Sequence, residues 1–191
     1  MTTLQVAGFI LLWIVIAVEG VLLLLLYRHV GLMYGHKESG LAVDLPAPPL
    51  LAQAAQGQRV TLPELLKADY NLLVFGSPGC SGCRALLQDH GVSPFLTARG
   101  MAGYFLTDHS EMSTDDVSLE MLGVDKKAFQ NYAINETPFA YIVARGGTII
   151  ARGDVGGGLQ DLARLCEQAH RHDHSSAQAP IHVSPAHRAS Q

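Results

Sequence analysis

The chain has 191 residues, 48% of them hydrophobic and 16% charged, which suits one domain of ~100–200 residues plus appendages. Thirteen Lys and Arg against 17 Asp and Glu leave a net charge of −4 with no basic cluster, and aromatic residues are 7%; a nucleic-acid-binding face and a base-stacking platform are both disfavoured. Three cysteines are too few for a disulfide-rich secreted scaffold, so the one close pair must be read for itself.

In chain order, Val6 to Tyr27 comes first, apolar except for Glu19. As a helix this run would span ~33 Å, enough for a hydrocarbon core. A cleaved signal peptide would have a basic start and a shorter apolar stretch. Met1 to Gln5 carries no Lys or Arg, so residues 1–34 read as an uncleaved transmembrane anchor with membrane lipid as its partner. Glu19 lies inside the span and reads as a protonated or snorkelling acid among leucines, with helix–helix contact as the alternative. Arg28 and Lys37 follow the span and by themselves would place the domain in the cytoplasm, but two residues make a weak bias.

Residues 35–50 read as a linker stiffened by Pro46, Pro48 and Pro49. The globular domain is expected over 51–170. Asn71 to Gly76 is a short apolar run ending in Ser77-Pro78-Gly79 and reads as a buried strand. Cys80 to His90 reads as a helix with Ala85, Leu86 and Leu87 inward. Ala102 to Leu106 is a second strand. Asp125 caps a helix reaching Tyr132 with Phe129 facing inward. Phe139 to Val143 and Thr148 to Ala151 flank Gly146-Gly147, a hairpin signal. Leu159 to His170 is an amphipathic closing helix. The sum is an α/β plan with a mixed sheet. Residues 171–191 read as a disordered, histidine-containing tail.

The chemistry lies at Cys80-Ser81-Gly82-Cys83, between a strand and a helix. A helix N-terminus carries partial positive charge and free N–H groups, which stabilise a thiolate. Cys80 would attack from that end, and Cys83, nearly one turn on, would be the resolving thiol of a dithiol–disulfide pair. A structural zinc site is the first competitor, but it needs four ligands, and even with His90 a fourth is missing. Inert core cysteines are the second, and the flanking Gly79 and Gly82 argue against them by opening the site. Redox chemistry is the favoured reading. Thr137-Pro138 precedes a strand, where a proline cannot donate to the ladder; the tripeptide alone gives no reason to expect more than an ordinary trans bond.

Cys166 on the last helix reads as a small buried apolar residue. His170, His172, His174, His182 and His187 form a tract that can capture copper, nickel or zinc, though spaced along a flexible tail it is unshaped, and no metal site is assigned. Asp108 to Asp116 lacks the spacing of a calcium loop and reads as solvated.

On strand, Cys80-Ser81-Gly82-Cys83, helix, then Thr137-Pro138 before a hairpin and a last helix, the chain resembles the thioredoxin superfamily. The resemblance implies a thioredoxin-like fold, a mixed central sheet flanked by helices, over 51–170. It implies a redox-active disulfide between Cys80 and Cys83, and a cis Pro138 facing Cys80, with the Thr137 backbone binding substrate peptide. No cofactor is expected. Arg84 stands where the family commonly has a basic residue.

Within it, the anchor with Arg28, the run Asn71 to Cys80, and Tyr132-Ala133-Ile134 ahead of Pro138-Phe139-Ala140 look like the methylamine utilisation accessory proteins of the D type. These mature the disulfide-rich small subunit of methylamine dehydrogenase. That resemblance implies a single-pass protein of the bacterial cytoplasmic (inner) membrane, its catalytic domain in the periplasm. It would assist disulfide formation in a cysteine-containing periplasmic protein such as that small subunit, with a membrane redox partner. The anchored cytochrome c maturation reductases share much of the pattern and give the alternative, a thiol reductase. A metal-delivery or holdase module is the non-enzymatic one. Thioredoxin's buried acid would fall at Val74, and the acid common in the cytochrome c reductases at Leu86. Both being apolar, fast reductase chemistry is not expected. Ser77 fits the thioredoxin-like peroxidases, but Leu73 replaces their proline and Cys83 lies too close.

Overall fold

The structure, a computed structural model of the whole chain, describes residues 12–24, 39–54, 56–77, 79–108 and 118–177. It divides into two units, Met1–Glu38 and Ser39–Gln191. In the first, residues 12–24 form a helix, α1, about 20 Å long at ~1.5 Å per residue. Its large apolar side chains are exposed, from Val15 at 47% to Leu24 at 70%. Among the described residues no helix is long and apolar enough to cross a membrane; the rest of the expected span, 6–11 and 25–27, lies outside them.

The second unit runs β1 (Leu51–Ala54), β2 (Arg59–Thr61), α2 (Leu62–Leu65), β3 (Tyr70–Gly76), α3 (Ser81–Gln88), α4 (Val92–Thr97), β4 (Ala102–Thr107), β5 (Glu120–Val124), α5 (Lys126–Asn131), β6 (Phe139–Ala144), β7 (Ile149–Asp154) and α6 (Leu159–Ala177). The seven strands form one sheet in the order β2-β1-β5-β4-β3-β6-β7. β3 runs parallel to β4 and antiparallel to β6, so the sheet is mixed.

β3 is apolar from Leu72 to Phe75 because both its faces are covered, and the side chains alternate between two cores. Leu72 and Val74 pack with Cys83, Leu86 and Leu162 under α3 and α6. Leu73 and Phe75 pack with Leu62, Leu65 and Tyr132 on the opposite face. Asn71 is the buried polar residue of the strand; its side-chain amide donates to the Ala68 carbonyl at 2.8 Å and accepts from the Ala68 N–H at 3.1 Å. Among the described residues no buried side-chain nitrogen or oxygen lacks a hydrogen bond.

Several expectations shift. In α3 the inward stripe is Cys83, Leu86 and Leu87, and Ala85 is exposed, because positions three and four apart share a helical face. α6 extends to Ala177, past the expected end at His170 and into the supposed tail; residues 178–191 lie outside the described residues. So do 109–117, most of the acidic loop. Asp125 caps α5 as expected, its carboxylate accepting from the Ala128 N–H at 2.8 Å, and the Phe129 ring meets Phe75 edge-on at 5.3 Å.

Of the expected linker, residues 39–50 are fastened to the sheet. Pro46 bridges Thr148, and the Asp44 and Ile149 N–H groups donate to the Ile149 and Leu45 carbonyls at 2.9 and 3.0 Å. The Leu41 N–H donates to the Tyr141 hydroxyl at 2.8 Å, and that hydroxyl donates to the Tyr132 carbonyl at 2.6 Å. Leu50 is 4% exposed. The prolines remove few needed donors, and the segment supplies an apolar cover that the Tyr132–Tyr141 side of the sheet lacks.

Candidate dithiol site

β3 ends at Gly76, and after Ser77 to Gly79 the chain turns into α3 with Cys80 as its N-cap. Gly76 is needed there. A Cβ on it would collide with the Phe105 ring and come within 3.1 Å of the Cys83 sulfur. The strand end and the first turn of α3 thus meet without an intervening side chain. Cys80 and Cys83 are joined as a disulfide with a Cα–Cα distance of 5.2 Å. Cys80 is partly exposed, and Cys83 is 0% exposed among Val74, Leu86 and their neighbours. The Cys83 N–H donates to the Cys80 sulfur at 3.1 Å, the role an N-cap side chain plays at a helix start. That N–H and the helix dipole favour negative charge on Cys80.

The other wall is the segment before β6. The Thr137–Pro138 peptide bond is cis, as the resemblance implies. The Thr137 carbonyl oxygen lies 3.3 Å from the Cys80 sulfur. The Thr137 N–H has no hydrogen-bond partner among the described residues. Pro138 is buried, and its carbonyl accepts from the Val155 N–H at 3.2 Å, tying the segment to the end of β7. Gly82 sits against this wall: a Cβ there would stand 3.3 Å from Pro138 Cδ and 3.4 Å from Gly156 Cα. The structure therefore brings Cys80, Cys83, Thr137 and Pro138 together, although Thr137 is 57 residues from Cys80.

The turn Gly156-Gly157-Gly158 is a part of the site that sequence reasoning passed over. The Asp154 carboxylate accepts from the Gly156 N–H at 2.9 Å, and the Asp161 carboxylate accepts from the Gly157 N–H at 2.6 Å. The signal was three glycines in a row before a helix. Gly82 and Gly156 come together beside Pro138 without side chains between them. Arg84 is exposed on the outer side of α3, and Val74 and Leu86 are fully buried, so apolar groups surround the inner sulfur. Cys166 is partly buried near Met101, the sulfurs 3.8 Å apart, and burial pushes its thiol above the ordinary range. Among the described residues no group of three or more His, Cys, Asp or Glu could hold a metal ion.

This arrangement can exchange disulfides: an accessible sulfur at a helix N-terminus, a second sulfur beneath it, and an unpaired backbone edge beside both.

No protein-family profile matches the chain, and no curated protein matches it in sequence. Solved structures do match. The thioredoxin domain of a thiol-disulfide oxidoreductase from Bacteroides vulgatus superposes with a TM-score of 0.52 at 21% identity, over 65% of this chain and 96% of that one. A domain of a possible thiol-disulfide isomerase from Cytophaga hutchinsonii gives 0.51 at 20% identity, over 70% and 99%. The C-terminal domain of an uncharacterized protein from Bacteroides fragilis gives 0.51 at 18%, over 65% and 97%. At such identities the likeness is one of fold, and function rests on the site. The domain has the thioredoxin-like fold, with its Cys80–Cys83 pair at the start of the first helix after the central strand.

Proposed function

We propose that the protein is a thiol–disulfide oxidoreductase in which Cys80 is the exchanging sulfur and Cys83 the resolving one. The observation that carries this reading is the position of the Cys80 sulfur, partly exposed, 3.1 Å from the Cys83 N–H and 3.3 Å from the Thr137 carbonyl. In the oxidised protein a substrate thiolate attacks Cys80, and the Cys83 sulfur leaves with the electron pair. A second substrate thiolate then attacks the substrate sulfur of the mixed disulfide. Cys80 leaves as a thiolate held by the helix N-terminus. The substrate gains a disulfide, and the protein is left as a dithiol that a membrane redox partner must reoxidise. Thr137 would offer its free N–H to an extended substrate segment alongside.

The finer reading is a single-pass protein of the bacterial inner membrane with this domain in the periplasm, serving a cysteine-containing protein such as the methylamine dehydrogenase small subunit. Its support is the apolar run Val6 to Tyr27, the exposed apolar side chains of α1, and the residue pattern from Asn71 to Cys80. Disulfides that persist in a substrate also form outside the reducing cytoplasm.

The deciding experiment is trapping on non-reducing gels from cells that carry the substrate. In the reverse direction the Cys80 thiolate attacks a substrate disulfide, one substrate sulfur leaves as thiolate, and Cys83 then attacks Cys80 to release the second. Cys83→Ser removes that release and should accumulate mixed disulfides through Cys80, and Cys80→Ser should accumulate none. Identical behaviour of the two variants would remove Cys80 as the exchanging sulfur. Absence of an amine dehydrogenase subunit among the trapped partners would remove the finer reading alone.

A further inference from the structure

We propose that His170 and His174, on the outer face of α6, form a two-imidazole chelate for a late first-row divalent cation: Zn²⁺, Ni²⁺ or Cu²⁺. Because α6 continues through Ala177, the two residues stand one helical turn apart rather than in a loose chain. Their rings meet at 87° with centroids 4.3 Å apart, and the two Nε2 atoms are 3.1 Å apart. The two nitrogens face each other across one shared proton, the roles set by the tautomer, and a cation would take that proton's place. With metal–nitrogen bonds of ~2.0–2.1 Å, a 3.1 Å separation corresponds to a ligand–metal–ligand angle of roughly 98°, between square-planar and tetrahedral values. Two histidines four apart on one helix face are a recurring way to hold such an ion. Both rings are exposed, so an ion can reach them and water can fill its remaining positions.

The surroundings separate this pair from the other histidine of the helix. His172 points elsewhere, to the Asp44 carboxylate at 3.2 Å. Below His170 is a pocket of about 320 Å³ lined by Tyr70, Arg99, Met101, Cys166, Glu167 and His170, with the Cys166 thiol and the Glu167 carboxylate one turn earlier on α6. Tyr70 begins β3 and Gly76, beneath Cys83, ends it; six strand steps of ~3.3 Å put the two sites about 20 Å apart. The cation site thus stands apart from the dithiol and goes beyond the exchange chemistry proposed above.

The test uses the full chain in detergent, Cys80–Cys83 kept as the disulfide and Cys166 blocked with iodoacetamide, so that no thiol binds metal. Zn²⁺ alone is titrated calorimetrically. One ion per chain is expected, with affinity falling roughly tenfold or more in His170→Ala and in His174→Ala as one of two protein ligands is lost. His172→Ala and the double change His182→Ala/His187→Ala should bind as the unaltered chain does. Absence of Zn²⁺ binding, or binding that survives both His170→Ala and His174→Ala, would overturn the proposal.

Discussion

The backbone N–H of Cys83 points at the sulfur of Cys80 from 3.1 Å, while the Cys83 side chain is sealed in the core. One residue thus favours charge on the other's sulfur and withholds its own from solvent. In the reduced protein, limiting iodoacetamide should therefore label Cys80 about tenfold faster than Cys83. Peptide mass spectrometry reads the ratio, and equal labelling would contradict the assignment of roles.

Gly76 separates β3 from the dithiol. Gly76→Ala should drive a methyl group into the Phe105 ring, which is 0% exposed. Overpacking of this kind costs about 1–3 kcal/mol. Denaturant unfolding of the oxidised protein should show that loss, whereas Gly79→Ala, where the added Cβ meets nothing within 4 Å, should leave stability nearly unchanged.

Val74 lies in the same core cluster as Cys83 and is 0% exposed. No proton acceptor stands there, so resolution by Cys83 should be slow and the unaltered protein should show long-lived substrate complexes. Val74→Asp should shorten their lifetime, at a cost in stability above the figure of about 1–3 kcal/mol for a neutral buried polar group, because the acid must be ionised to take the proton. Pulse-chase on non-reducing gels measures the lifetime. If Val74→Asp lengthens it or leaves it unchanged, the missing acid is not what limits resolution.

The phenols of Tyr132 and Tyr141 are both pushed above the ordinary value of 10.0, chiefly by burial. A raised folded-state value means the native protein keeps protons that the unfolded chain releases. The associated stability is present below about pH 10 and is lost as pH rises through the raised values. The melting temperature should hold steady up to about pH 9 and fall above about pH 10. Absorbance near 295 nm should show these phenolates forming only as the protein unfolds. Ionisation with the fold intact would mean the Tyr132–Tyr141 cluster, and the cover over it from residues 39–50, is open to water.

Local signals were enough where a segment decides its own structure. The run from Asn71 to Gly76 carries enough apolar surface to be a buried strand in any α/β arrangement. Asp125 caps α5 with its own side chain, Gly146-Gly147 makes a hairpin turn, and Cys80 follows a strand and opens a helix. Each of these features depends only on residues close in sequence. The segments that local signals missed, β1, β2, α2, α4 and β5, are three to six residues long. Leu51–Ala54 has no pattern of its own and is a strand because β2 and β5 supply its hydrogen bonds on both edges. Pro46 to Leu50 reads as linker until the exposed flank of β7 and the tyrosine cluster give it something to cover.

The same division runs through the sites. Residue types and spacing alone pointed to a dithiol at Cys80 and Cys83. What stands opposite it came first from resemblance, because nothing within a few residues of Thr137 says which way its carbonyl faces. The β3–β6 pairing decides that, by bringing Phe139 opposite Phe75 and so carrying Thr137 to the Cys80 sulfur. The glycine turn after β7 and the converging rings of His170 and His174 were decided in the same way, by where β7 ends and how far α6 runs. Chain composition sets which chemistry is present; long-range packing sets which groups meet, because the free energy that holds them together comes from contacts between segments distant in sequence.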